Sequence, residues 1–265
     1  MPIHPSAHID PRADVHPSAS IGAGVVIDGP VCIEADAVLA PHAVAMGDTR
    51  IGARTHLHSH AVVGDVPQDR SFEDEPSRCE IGADCIIREG VTVHRATGRD
   101  KVTRIGDRCF LMTNSHVGHN CQLGNGVTLV TGAILGGHVE VRDRAILSGN
   151  VAVHQFVRIG ELAMIAGLAS VAQDIPPFML TDRFGSVIGV NTIGMRRAGF
   201  TPEQRADVKQ AYQLLYRSGL RLAEAVARLE VRASSDVVGT VLSFLSDPSS
   251  RGITALPKVV VRRAG

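Results

Sequence analysis

The sequence predicts a mainly β chain: a parallel β-helix of hexapeptide repeats, followed by a small α-helical domain. Three observations carry that expectation. From Ile3 onward every sixth residue is aliphatic, and of the 29 positions up to Val171, 25 are Ile, Leu or Val, the exceptions being Ala45, Asp69, Glu75 and Arg99. The phase survives two interruptions, GDVPQDRSFEDEPSRCE between Val63 and Ile81 and HRATGRDKVTR between Val93 and Ile105. After Val171 the repeat stops and helix signals begin.

Hexads such as AHIDPR, ADVHPS and ASIGAG set one aliphatic residue inward, often with a small residue two before it and Gly just after, the mark of a hexapeptide β-helix. Each hexad supplies one short strand and a turn, and three complete a triangular coil of about 18 residues whose stacked aliphatics fill the prism. Gly and Pro serve the corners. A six-residue period does not match the 3.6-residue stripe of a helix, and a sandwich would need strict alternation. With no Trp, two Tyr and seven Phe, the core must be small and aliphatic. The interruptions, residues 64–80 and 94–104, rejoin in register and are expected as loops on one face of a rigid solenoid.

Beyond the repeat, VAQDIPPFMLTDRFGSVIGVNTIGMRRAGF, with Pro176 and Pro177, reads as an irregular bridge. Thr201-Pro202-Glu203-Gln204 then forms a capping-box sequence with Pro at the first helical position. Val208, Ala211, Leu214 and Leu215 mark the apolar face of that helix, and Gly219 suits its end. Residues 220–229 and 236–245 read as two more helices. The expected division is 1–190 for the β-helix and 191–265 for the helical domain.

The chain has 27 Lys+Arg against 27 Asp+Glu, so no broad nucleic-acid or acidic-membrane surface is expected and any basic site must be local. Five cysteines, Cys32, Cys79, Cys85, Cys109 and Cys121, show neither a C-x-x-C pair nor zinc-like spacing, and reduced, mostly buried thiols are expected. No basic and apolar leader opens the chain and no apolar run approaches a span of about 20 residues. A soluble cytoplasmic protein without stable membrane insertion is the resulting expectation.

Seven of the twelve histidines, His4, His8, His16, His42, His56, His58 and His60, fall at outward positions of early coils, where solvated side chains are expected. His94, His116, His119, His138 and His154 belong to later coils. An 18-residue coil sets position 119 under 137 and 137 under 155, so His119, Gly137-His138 and His154-Gln155 should form a ladder along one edge, with about 4.8 Å between coils. On pattern alone, a row of solvated corner histidines also stays open.

The stretches NSHVGHNCQLGN, GGHVEV, VAVHQF, GLASVAQDIPP and VNTIGMRRAGF, in that order, together with QD in the first loop, VTVHR before the second and AYQLLYRSG in the first helix, resemble the UDP-N-acetylglucosamine 3-O-acyltransferase family over nearly the whole chain. The resemblance implies a left-handed coil, an exception to the right-handed crossover rule. It also implies a cytoplasmic homotrimer without metal or other cofactor. Such an enzyme moves an (R)-3-hydroxyacyl group from the phosphopantetheine of acyl carrier protein to the 3-hydroxyl of UDP-N-acetylglucosamine, the first step of lipid A synthesis. By the same resemblance His119 is the general base, Gly137 the amide donor to the oxyanion, and Asn120 the residue that orients the base. Asp69, His116, His138, His154 and Gln155 match sugar and thioester-side contacts, and Asn191 and Arg197 match nucleotide contacts. Gly167 matches the acyl-chain ruler, where glycine leaves the slot open for a chain of about fourteen carbons. A glycine required only by a turn is the plainer reading there. Arg196, Arg217 and Arg221 either meet the acidic carrier protein or are solvated helix-face arginines.

Four positions depart from the family pattern: Asn120 and Ile193 stand for acidic residues, Ser71 for Lys, and Ala198 thins a basic run. Asn120 motivates an alternative acceptor with a 3-amino group, which demands less of the base. Three further readings stay open at this point. One is the N-acyltransferase acting later on the same pathway, whose extra N-terminal domain is at odds with hexads that begin at residue 3. Another is a β-helical carbonic anhydrase with zinc on His116, His119 and His138. The last is a non-catalytic solenoid binding module, which leaves the clustered histidines and matched loops unexplained.

Overall fold

The computed structural model describes residues 3–231 and 235–254, and within it each hexad forms one short strand and one corner. The strands stack into three sheets. The first has nine strands, from His8–Ile9 to Ser170–Val171; the second has eight, from Asp14–Val15 to Arg158–Ile159; the third has ten, beginning at Ser20–Ile21. All pairings are parallel except the last one of the third sheet. In the first sheet His8 pairs with Val26 and Val26 with Val44, the expected step of one coil. Val62 then pairs with Thr92, and Thr92 with His116, so the two loops insert twelve and six residues, whole numbers of hexads. That is why the aliphatic phase survives them.

Inward aliphatics such as Ile27, Leu57, Ile87, Leu135 and Leu147 are wholly buried. Each contributes on the order of 1.5–3 kcal/mol. Ala45, an exception to the aliphatic count, still faces the core, whereas Asp69, Glu75 and Arg99 lie in the loops. A second buried ring sits two residues before each inward aliphatic, and Cys79, Cys85, Cys109 and Cys121 occupy it as small core residues. All five thiols are free. Burial pushes the Cys79 and Cys121 thiols up to about 12, so neither supplies a thiolate near neutral pH.

The corners carry a second phase. Three residues after an inward position the backbone turns left-handed, at His42, Asn114, Asn120, His138, Phe156 and Leu168 among others. Outward residues differ by sheet. The second sheet presents Arg50, Glu80 and Arg104, with Arg104 paired to Glu80 at 2.7 Å. The third presents Ile86, Phe110, Ile146 and Met164, and the first presents Ile134, which is 49% exposed.

The expected irregular bridge is more ordered than its sequence suggests. Met179–Thr181 continues the third sheet and pairs antiparallel with Val187–Val190. The apolar runs MLT and VIGV flank DRFGS, and Gly185 takes the positive φ that closes this hairpin. A short helix, α1 (Thr192–Arg197), follows. Helix α2 (Pro202–Tyr212) starts with the expected capping box: the Thr201 hydroxyl accepts from Gln204 N and the Gln204 side chain accepts from Thr201 N. It widens into a π turn over Gln213–Arg217 and stops at Ser218, with Gly219 at φ +72° as its sequence suggests. Helices α3 (Leu222–Val231) and α4 (Asp236–Ser246) complete the fold. The final stretch of the expected helical domain, 255–265, lies outside the described residues. No helix among them is long and apolar enough to cross a membrane.

Candidate active site

Both inserted loops leave a strand of the first sheet and rejoin the chain at the second, so they hang from one edge of the prism. His119, Gly137, His154 and Gln155 occupy corners of that same edge in three successive coils. The ladder expected from the repeat is present: a Cβ placed on Gly137 would stand 2.4 Å from His119 Nε2. The imidazole therefore rests on the glycine backbone, and a side chain at 137 would displace the ring from this position. Among the described residues no acceptor takes the Gly137 N–H.

Asn120, at φ +61°, follows His119 in the corner. Its Oδ1 lies 2.8 Å from His119 Nδ1 and also accepts the Thr97 N–H at 3.0 Å, while its Nδ2 donates to the Thr97 carbonyl at 2.9 Å. This pair of hydrogen bonds to loop 94–104 fixes the amide, so Oδ1 must accept from Nδ1–H. The lone pair of His119 is thereby left on Nε2. Asp69, in loop 64–80, approaches Nε2 through Oδ2 at 3.9 Å. Its other oxygen accepts from the backbone N–H and hydroxyl of Ser71, which hold the carboxyl below its usual range. Ser71, a departure at the sequence level, thus shapes the turn that presents Asp69.

A cleft of about 400 Å³ opens beside His119, with Gln68, His94, His116, Ile134, His154 and Gln155 on its walls. His116 Nδ1 is 2.8 Å from the Thr92 hydroxyl. Burial, reinforced by His94 and His119, lowers its pKa to about 4, so the ring is neutral at pH 7. His138 stands edge-on to His119, centroids 5.2 Å apart, and stacks on Phe156 at 4.6 Å. Burial foremost, then His119, lowers its pKa as well. Within one chain His116, His119 and His138 do not converge: among the described residues no three His, Cys, Asp or Glu could share a metal ion.

Other candidate residues lie on other edges. Asn191 is buried and caps α1, its Oδ1 accepting from Gly194 N at 2.9 Å while its Nδ2 donates to the Leu162 carbonyl at 2.9 Å. Leu162 belongs to a corner between the second and third sheets, which places α1, with exposed Arg197 and Ile193, along that edge. Gly167 sits on the remaining edge, between the third sheet and the first. It has no positive φ, and an added Cβ would meet nothing closer than the Gly149 carbonyl at 3.4 Å. The turn does not force a glycine there. Arg196, Arg217 and Arg221 are all exposed, and Arg217 Nε also donates to the Tyr212 hydroxyl at 2.9 Å. Sequence reasoning missed Thr97 and Arg251, the latter reaching His154 from beyond α4, because neither falls in a repeat or a motif.

Known proteins match along nearly the whole chain. A family model described as UDP N-acetylglucosamine O-acyltransferase, Domain 2, matches residues 174–254, and one described as bacterial transferase hexapeptide (six repeats) matches 103–137. The acyl-acyl-carrier-protein–UDP-N-acetylglucosamine O-acyltransferase of Verminephrobacter eiseniae is 40% identical over 259 residues, covering 95% of this chain and 98% of the relative. Its namesake from Campylobacter concisus is 36% identical over 254 residues, covering 95% and 96%. Among solved structures, the UDP-N-acetylglucosamine acyltransferase of Francisella novicida superposes with a TM-score of 0.94 at 36% identity, covering 97% of this chain and 95% of that one. That of Bacteroides fragilis gives 0.92 at 35% identity, covering 95% and 99%. Such superpositions admit only one hand of coil, and the coil is left-handed. From its repeat register to its last helix, the chain belongs to the UDP-N-acetylglucosamine O-acyltransferase family.

Proposed function

We propose that the protein transfers an (R)-3-hydroxyacyl group from the phosphopantetheine of acyl carrier protein to the 3-hydroxyl of UDP-N-acetylglucosamine, the first step of lipid A synthesis. The observation that carries this reading is the His119 ring, held by Asn120 with the Nε2 lone pair free and seated on Gly137. Nε2 takes the proton of the sugar hydroxyl as its oxygen attacks the thioester carbonyl. The tetrahedral oxyanion accepts the Gly137 N–H, a preorganised donor of a kind that contributes about 3 kcal/mol. Collapse of the intermediate expels the pantetheine thiolate, which recovers the proton from the imidazolium. Asn120 orients the ring without adding charge, so Asp69 is the anion that steadies the imidazolium.

His116, neutral at working pH, joins His138, His154 and Gln155 in holding the sugar and the thioester side. The candidate residues occupy all three edges of the prism and meet only when prisms pack side by side, which supports a homotrimer with sites between neighbours. In that assembly Asn191 and Arg197 of one chain meet the nucleotide bound against His119 of the next. Gly167, free of conformational demand, leaves the acyl slot open for a chain of about fourteen carbons. The reaction needs no metal and no cofactor beyond the carrier arm, and it belongs in the cytoplasm.

The uncharged Asn120 favours one second reading, N-acylation of the 3-amino analogue of the same nucleotide sugar. Mass spectrometry of products, from carrier proteins bearing hydroxyacyl chains of about ten to sixteen carbons and both acceptors, decides. An ester with a long chain is expected. An amide as the sole product moves the assignment to the amino sugar, and no product from either acceptor overturns both. His119→Ala should lower turnover by about 10²–10⁴-fold with the fold retained, and full activity would remove His119 as the base.

A further inference from the structure

Arg251 lies in the segment after α4, which runs back along the coil and is tied to buried Asp174. Asp174 N donates to the Gly252 carbonyl at 2.8 Å, Thr254 N donates to the Asp174 carbonyl at 3.0 Å, and the Ser249 hydroxyl donates to the Asp174 carboxylate at 2.6 Å. From this anchorage Arg251 reaches the cleft. Its Nη2 is 2.7 Å from His154 Nδ1, and its Nε donates to the Gln155 carbonyl at 2.8 Å.

A guanidinium has donors only, so His154 Nδ1 must present its lone pair, and in the neutral ring the proton sits on Nε2. The other neighbour of Nδ1, the Gln155 carbonyl, is farther away at 3.2 Å and is already taken by Arg251. His119 is the opposite case, since the Asn120 carbonyl oxygen demands a proton on Nδ1. Two histidines on one cleft are thus locked in opposite tautomers, one with a free Nε2 lone pair and one with an Nε2–H.

We propose that Arg251 is a positioning residue for acyl transfer: held by the returning C-terminal segment, it keeps His154 as an Nε2–H donor to an oxygen of the bound substrate. The catalytic consequence rests on the transferase reading above; the tautomer does not. Without Arg251 the Gln155 carbonyl is released, draws a proton onto Nδ1, and leaves Nε2 with a lone pair that repels a substrate oxygen.

The test uses the full-length protein labelled with ¹⁵N-histidine, as wild type, Arg251→Met and Arg251→Lys, with the His154 signals assigned through His154→Gln. Methionine keeps a long unbranched side chain but cannot donate, whereas lysine can still donate to Nδ1. In the wild type, His154 Nδ1 should resonate as an unprotonated nitrogen; in Arg251→Met it should move toward the protonated position, and in Arg251→Lys it should return. KM should rise about tenfold in Arg251→Met with kcat within about threefold of wild type, and Arg251→Lys should recover most of it. An unchanged tautomer in a folded Arg251→Met overturns the proposal, as does a moved tautomer with wild-type KM. Should Arg251→Met not fold, Arg251→Lys decides alone, through the loss or retention of the Nε2–H form. The shifts are read without substrate, so failure of the proposed acceptor would leave this test standing.

Discussion

Gly137 shows how narrowly one residue sets the chemistry. Its missing side chain is the space that the His119 ring occupies, and a Cβ 2.4 Å from Nε2 cannot coexist with the present ring position. Gly137→Ala should displace the base by about 1 Å and lower turnover by about 100-fold while leaving the melting temperature within a few degrees of wild type. Unchanged kinetics would mean that the ring works from another position. His116 offers a test in pH. Burial lowers its pKa to about 4 in the folded chain against 6.5 for the free group, so between these values the unfolded chain binds a proton that the folded one refuses. Stability from this source is complete above pH 6.5 and is lost as pH falls toward 4, by at most about 3 kcal/mol. In His116→Asn the urea midpoint, at fixed chain concentration, should fall less between pH 6.5 and 4.5 than in the wild type. Equal slopes would assign the acid loss to other groups.

At the scale of elements, legibility follows periodicity. The coil could be read because each hexad repeats the same physical demand, one aliphatic inward and one left-handed corner, so a single register predicts strands, pairings and the stacking of His119, Gly137 and Gln155. The loops could be located but not traced, and so the Asn120–Thr97 pair, which orients the base, had no signature in the sequence. Helix α2 was legible at its start and at its stop, where Gly219 takes a positive φ, but not in its π turn. The capping box announces Thr201, whereas nothing in the sequence announces the π turn over Gln213–Arg217, in which Tyr216 is buried while Leu214 and Leu215 pack half-buried on the core. Thr201→Ala removes the hydroxyl that accepts Gln204 N and should cost about 1 kcal/mol, read as a lower urea midpoint at unchanged slope. No change would show that tertiary packing of α2 outweighs its cap.

For the whole molecule the decisive fact is that a prism has three edges and the candidate residues use all of them. His119 and both loops take the edge between the first and second sheets, α1 takes the next, and Gly167 the last. A single chain cannot fold these edges together, because the aliphatic core holds them apart. Two of the three faces are also apolar outward, through Ile134 on the first sheet and Ile86, Phe110 and Ile146 on the third, while the second carries ion pairs suited to water. In the proposed homotrimer, packing around a threefold axis would cover the apolar faces and bring the α1 edge of one chain toward the His119 edge of its neighbour. That arrangement makes a quantitative demand. His119→Ala and Arg197→Ala should each be nearly inactive alone, yet when equal amounts are unfolded together and refolded, one site in four pairs an intact His119 with a neighbour's intact Arg197, and activity should return to about a quarter of wild type. If both residues served a site from the same chain, every mixed assembly would stay as inactive as its parents.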